Sequence, residues 1–123
     1  MSISNHRAAD LLCSAFEGGS NYWCIIDHVV TPEEEAKPWG DEYTPTYISF
    51  PFSDGGAIVL GDIEDDEADL VTLNKKAIKR GIKLLETDPQ YAHHYADVLQ
   101  ENDDATTGDV FLQLCVFGDV VFG

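Results

Sequence analysis

The chain has 123 residues, the size of one ordinary domain, and is 44% hydrophobic and 11% aromatic, enough to build a core without disulfides or metal. Its 23 Asp and Glu against 7 Lys and Arg give a formal net charge of -16. That charge argues against direct binding to nucleic acid, where affinity comes mainly from neutralising phosphates, and against anionic membrane surfaces.

Residues 4–17 read as a helix. Ser4 or Asn5 can cap its start, Ala8, Leu11, Leu12 and Phe16 recur at helical spacing, and Gly18-Gly19 stop it. Residues 21–30, NYWCIIDHVV, are aromatic and β-branched and read as a strand that opens with Tyr22 and Trp23. Residues 31–45, with their prolines and acids, read as an exposed loop. TYISFPF, residues 46–52, reads as a second strand, Ser53-Asp54-Gly55-Gly56 as a tight turn, and AIVLGDI, residues 57–63, as the returning arm of a hairpin. An acidic edge or loop follows.

Thr72 can cap a helix running to about Leu85, with Leu73, Ala77, Ile78, Ile82 and Leu85 on one face and Lys76, Lys79, Arg80 and Lys83 opposite. Asp88-Pro89 opens another helix whose apolar face holds Tyr91, Tyr95, Val98 and Leu99. Residues 108–117 suit either a helix capped by Thr107 and stopped by Gly118 or a buried strand. The helix is preferred, with 119–122 as a short last strand. The expectation is one acidic α+β domain over 1–123, a small antiparallel sheet (hairpin 46–63 plus strand 21–30) packed against about four helices.

Asp62, Glu64, Asp65, Asp66, Glu67 and Asp69 put six carboxylates in eight residues. A calcium loop wants Gly at its sixth position and Glu at its twelfth, and Glu67 and Leu73 stand there. In an extended chain, alternate residues lie roughly 6.7 Å apart on one face, so such a row resembles a row of phosphates. It would fill the Lys/Arg groove of a nucleic-acid-binding protein, and Glu33, Glu34, Glu35, Asp41 and Glu42 would extend the surface. The competing reading is a solvated acidic face that keeps the protein soluble.

Cys13, Cys24 and Cys115 form no CxxC pair and sit among apolar residues, as buried free thiols of a reducing compartment do. Cys24 and His28 share a face if their strand is regular, which is too few ligands for zinc. The adjacent His93 and His94 should point about 100° apart on a helix. No GxSxG, HExxH or phosphate-binding glycine loop is present. No metal, cofactor or catalytic residue is expected. The N-terminus lacks a signal-peptide pattern, and the apolar runs are too short to span a bilayer.

Two segments carry a resemblance: AFEGGSNYW, residues 15–23, and ENDDATTGDVFLQLCVFGDVVFG, residues 101–123. Through Glu17, Gly18, Gly19, Tyr22, Trp23, Asp104, Asp109, Leu112, Gln113, Phe117 and Gly118, the chain resembles a family of small proteins encoded by tailed bacteriophages. The resemblance implies a phage or prophage origin and action in the cytoplasm of a bacterial host. It carries no activity or catalytic residue with it.

The reading that follows is a non-enzymatic anti-defence binding protein, similar in composition to DNA mimics that block CRISPR or restriction effectors. Its partner would be a basic nucleic-acid-binding host protein. The alternatives are a phage assembly or housekeeping module, which includes a homo-oligomer, and a protein that sequesters a small anionic nucleotide on the basic helix stripe.

Overall fold

The Oγ of Ser4 accepts from the Arg7 amide at 3.2 Å and starts helix α1, Asn5–Ser14, in the computed structural model, which describes residues 3–34 and 46–123. Helix α1 buries Ala8, Ala9, Leu11 and Leu12 and then loosens into a π-type turn, Ala15–Gly19. Gly19 is required by a close approach, because a Cβ there would stand 2.2 Å from the carbonyl oxygen of Ala105.

The sheet is antiparallel, with strands β1 (Cys24–Val30), β2 (Ala57–Asp62) and β3 (Val71–Leu73) in the order β1-β2-β3. With four α-helices beside it among the described residues, the α+β class is as the sequence leads one to expect. The membership of the sheet differs. Residues 46–52, expected as the first hairpin arm, form a turn and one 3-10 turn, Phe50–Phe52. Pro51 has no N–H to give a ladder, and the segment turns Ile48 and Phe52 inward as core instead. Its aromatic content marks burial rather than strand.

The third strand comes from residues read as the start of a helix. Thr72 pairs with Val59, so it cannot cap. Helix α2, Lys75–Thr87, starts at Asn74, whose Oδ1 accepts from the Ala77 amide at 2.9 Å.

Strand β1 carries a bulge at Asp27. Ile26 pairs with Leu60, but His28 pairs with Val59. The extra residue moves His28 to the other face, so Cys24 is buried, His28 faces solvent, and the two do not share a face.

Asp88 accepts from the Gln90 amide at 3.0 Å and opens a 3-10 turn, Pro89–Tyr91, which leads into helix α3, Ala92–Leu99. The rings of His93 and His94, expected to diverge, have centroids 3.9 Å apart, because their side-chain torsions offset the divergence of the Cβ directions. Burial and then the His93 neighbour lower the His94 pKa.

Helix α4, Ala105–Phe117, is the centre of the fold. Asp104, not Thr107, caps it by accepting from the Thr107 amide at 3.0 Å, and Gly118 stops it at φ 74°. Arg80 of α2 donates to the Cys115 carbonyl and satisfies an end that has no further helical donor. Every residue from Thr107 to Cys115 is buried, so the helix has no polar stripe, which is why its pattern also suits a buried strand. Gly81 lets α2 close on α4: a Cβ there would lie 2.2 Å from the Cys115 sulfur. Residues 119–122, expected as a strand, join no ladder.

Candidate functional site

The polar centre of the molecule is Asp109, on α4 and only 7% exposed. One of its carboxylate oxygens accepts from the Ser20 hydroxyl and from the Trp23 indole N–H, each at 2.7 Å. The other accepts from the Tyr22 hydroxyl at 2.6 Å and from the Gln113 amide at 3.1 Å. Ser20, Tyr22 and Trp23 reach it because the π-type turn and the Ser20–Trp23 turn bring the chain back over α4 before β1 begins. Burial of a charge is tolerated here because each oxygen receives two donors.

Gln113, one helical turn further on, ties down the chain end. Its Oε1 accepts from the amides of Val121 and Phe122, each at 2.8 Å, and its amide donates to the Phe122 carbonyl at 3.2 Å. The Phe122 ring then stacks on Trp23, with centroids 5.0 Å apart and planes 8° apart. Desolvation and the adjacent Asp109 push Tyr22 up to about 12. Burial, then Asp109, pushes the Cys24 thiol up to about 12, and burial raises Cys115 as well, so neither presents a thiolate at neutral pH. All three cysteines are free thiols, Cys13 being only partly buried.

The sequence-level acidic residues lie just outside this centre. Asp62 ends β2, and Glu64, Asp65, Asp66, Glu67 and Asp69 are all exposed on the loop that joins β2 to β3. The loop is not the extended row that phosphate-like spacing requires. Asp62 accepts from the Glu64 amide at 2.8 Å, Asp65 accepts from the Glu67 amide at 3.0 Å, and the Ala68 amide bonds the Asp65 carbonyl. These Asx bonds fold the segment into successive bends. Asp62 and Asp65 therefore shape the loop as well as charge it. Among the described residues no group of three or more His, Cys, Asp or Glu is arranged to hold a metal ion.

Glu33 and Glu34 are exposed but belong to the other end of the sheet. Cys24 pairs with Asp62 at one end of β1 and Val30 with Ala57 at the other, six residues or roughly 20 Å away. The structure thus separates Glu33 and Glu34 from the β2–β3 loop acids, with which the sequence joins them into one surface. Glu35, Asp41 and Glu42 lie outside the described residues.

The basic stripe is partly committed to the fold. Arg80 serves α4, and Lys75 reaches Asp54 at 3.3 Å. A shallow concavity of 390 Å³ beside the start of α2 is bordered by Lys75, Lys76, Lys79 and Asp54, at the end of the sheet away from the acidic loop.

Several residues behind the resemblance have structural places. Tyr22, Trp23, Asp109 and Gln113 form the polar centre, Phe117 packs on Trp23 at 5.4 Å, Asp104 and Gly118 bound α4, and Gly19 abuts Ala105. These eight help to build the fold. The sequence signal for this centre was the pair Asp109 and Gln113, four residues apart on an otherwise apolar helix. Comparison with protein-family models, with curated proteins and with solved structures finds no match. Among the described residues no helix is long and apolar enough to cross a membrane.

Proposed function

We propose that this chain is a bacteriophage-encoded anti-defence binding protein of anti-CRISPR or anti-restriction type. It acts in the cytoplasm of a bacterial host and occludes the nucleic-acid-binding surface of a basic effector without turnover. The observation that carries the reading is the exposed set Glu64, Asp65, Asp66, Glu67 and Asp69 on one loop, rooted in a sheet whose core is closed around a satisfied carboxylate. A chain of net charge -16 draws a basic partner over long range, and a loop of fixed shape then decides where it docks. The mimicry is of local charge density at the loop tip, not of an evenly spaced phosphate row.

The test is capture from bacterial lysate at low and high salt, with mass spectrometry of what is retained. The reading expects a basic nucleic-acid-binding effector that added DNA or RNA displaces, and that a protein neutralised at Glu64, Asp66, Glu67 and Asp69 does not retain. Retention of the same effector by the neutralised protein at ordinary salt overturns it.

A second reading rests on the concavity bordered by Lys75, Lys76 and Lys79, which suits a small anionic nucleotide. It expects Lys76→Gln with Lys79→Gln to abolish nucleotide binding while loop neutralisation leaves it intact.

A further inference from the structure

The acidic loop does not stand apart from the aromatic centre. The amide of Ile63 bonds the Trp23 carbonyl at 2.9 Å, so the loop leaves the sheet directly beside Trp23. Between them opens a cavity of 540 Å³, walled by the aromatic residues Tyr22, Trp23 and Phe122 and by the carboxylates Asp62, Glu64 and Asp65. The aromatic wall is preorganised. Tyr22 is 49% exposed, yet its hydroxyl is held by Asp109, and Phe122 is held flat on Trp23 by stacking and by Gln113.

Aromatic faces alone would suit any apolar group, and carboxylates alone any cation. Together they select a cation with a flat, polarisable face. A guanidinium stacks on an aromatic ring and forks two N–H groups onto a carboxylate, whereas an ammonium is a compact, strongly hydrated point charge. The volume takes a long side chain with part of the backbone that bears it.

We infer that this cavity is an anchor site for an arginine side chain of the basic protein partner, stacked at Tyr22 and forked to the carboxylates at the loop base. The inference rests on the reading that the acidic loop docks a basic protein, and it names the point where that docking becomes selective. Arginines buried in a pocket by their partner dominate interface energies, while rim charges mainly steer.

The probes are hexa-arginine and hexa-lysine peptides, equal in charge, titrated at physiological salt while the Trp23 indole N–H is followed by NMR. Trp39→Phe identifies that signal. Hexa-arginine should bind about tenfold more tightly than hexa-lysine and move the Trp23 indole. Tyr22→Phe, which keeps the ring, should retain the preference, and Tyr22→Ala should erase it. Glu64→Gln with Asp65→Asn should weaken both peptides.

Equal affinities with an unmoved Trp23 signal overturn the anchor site and leave the acidic docking loop standing. Affinity that ignores the carboxylate substitutions overturns both. If Tyr22→Ala does not fold, the two peptides on the unaltered protein decide the matter alone.

Discussion

Asp109 and the acids of the β2–β3 loop are the same functional group in opposite surroundings. Asp109 is 7% exposed and receives four side-chain donors from residues up to 89 positions away. Glu64, Asp66, Glu67 and Asp69 face solvent, and the loop's other acids, Asp62 and Asp65, accept from amides of the loop itself. A buried carboxylate with this many partners is part of the architecture, since each partner is orphaned if it goes. Exposed carboxylates add little to stability and remain free for a partner. In a chain with 23 acids, the charge count thus conceals two populations with different work.

The sharpest way to break the comparison is Asp109→Ala. It leaves the Ser20 hydroxyl, Trp23 indole, Tyr22 hydroxyl and Gln113 amide without their acceptor, and should cost about 3–5 kcal/mol in urea unfolding. A loss below about 1 kcal/mol would remove Asp109 from the architecture. Next comes Gly81→Ala, whose new methyl meets the Cys115 sulfur, and overpacking of that kind costs about 1–3 kcal/mol. Adding Cys115→Ala should recover part of the loss, read as a shift of the denaturation midpoint.

Smaller again is the response to alkali. Tyr22 and Cys24 are both raised to about 12 from their ordinary values of 10.0 and 9.0, so the folded state holds these protons more tightly than the unfolded chain. The stability they contribute is complete below pH 9 and drains away between pH 9 and 12. Denaturant midpoints across that range should fall, and Tyr22→Phe should make the part of the fall above pH 10 shallower. The least effect on the fold belongs to the loop. Glu64→Gln, Asp66→Asn, Glu67→Gln and Asp69→Asn together should change stability by no more than about 0.5 kcal/mol per position, with thermal melting as the check.

Much of the chain declares itself locally. Ser4 as a cap, Gly18-Gly19 and Gly118 as stops and the turn at 53–56 depend on neighbours in sequence, and they are visible there. Strand β3 is only three residues and runs almost directly into α2, so no periodicity reveals it. Residues 46–52 look like a strand because aromatic residues mark both burial and β structure, and only Pro51 argued otherwise.

The acidic loop was recognisable as exposed charge. Its bends were not, since they depend on Asp62 and Asp65 bonding the loop's own amides. The separation of Glu33 and Glu34 from that loop follows from strand register, and the Asp109 centre from contacts between residues more than 80 positions apart. Both are tertiary facts that residue types alone do not contain.

The central claim is that the exposed acids, and not the buried one, meet the partner. The most direct measurement is the salt dependence of affinity for the captured effector, compared between the unaltered protein and the loop-neutralised one. The account predicts a steep loss of affinity with salt for the first, and for the second a weaker affinity with a much flatter dependence, the fold being retained. Identical affinity and identical salt dependence for the two proteins would contradict it.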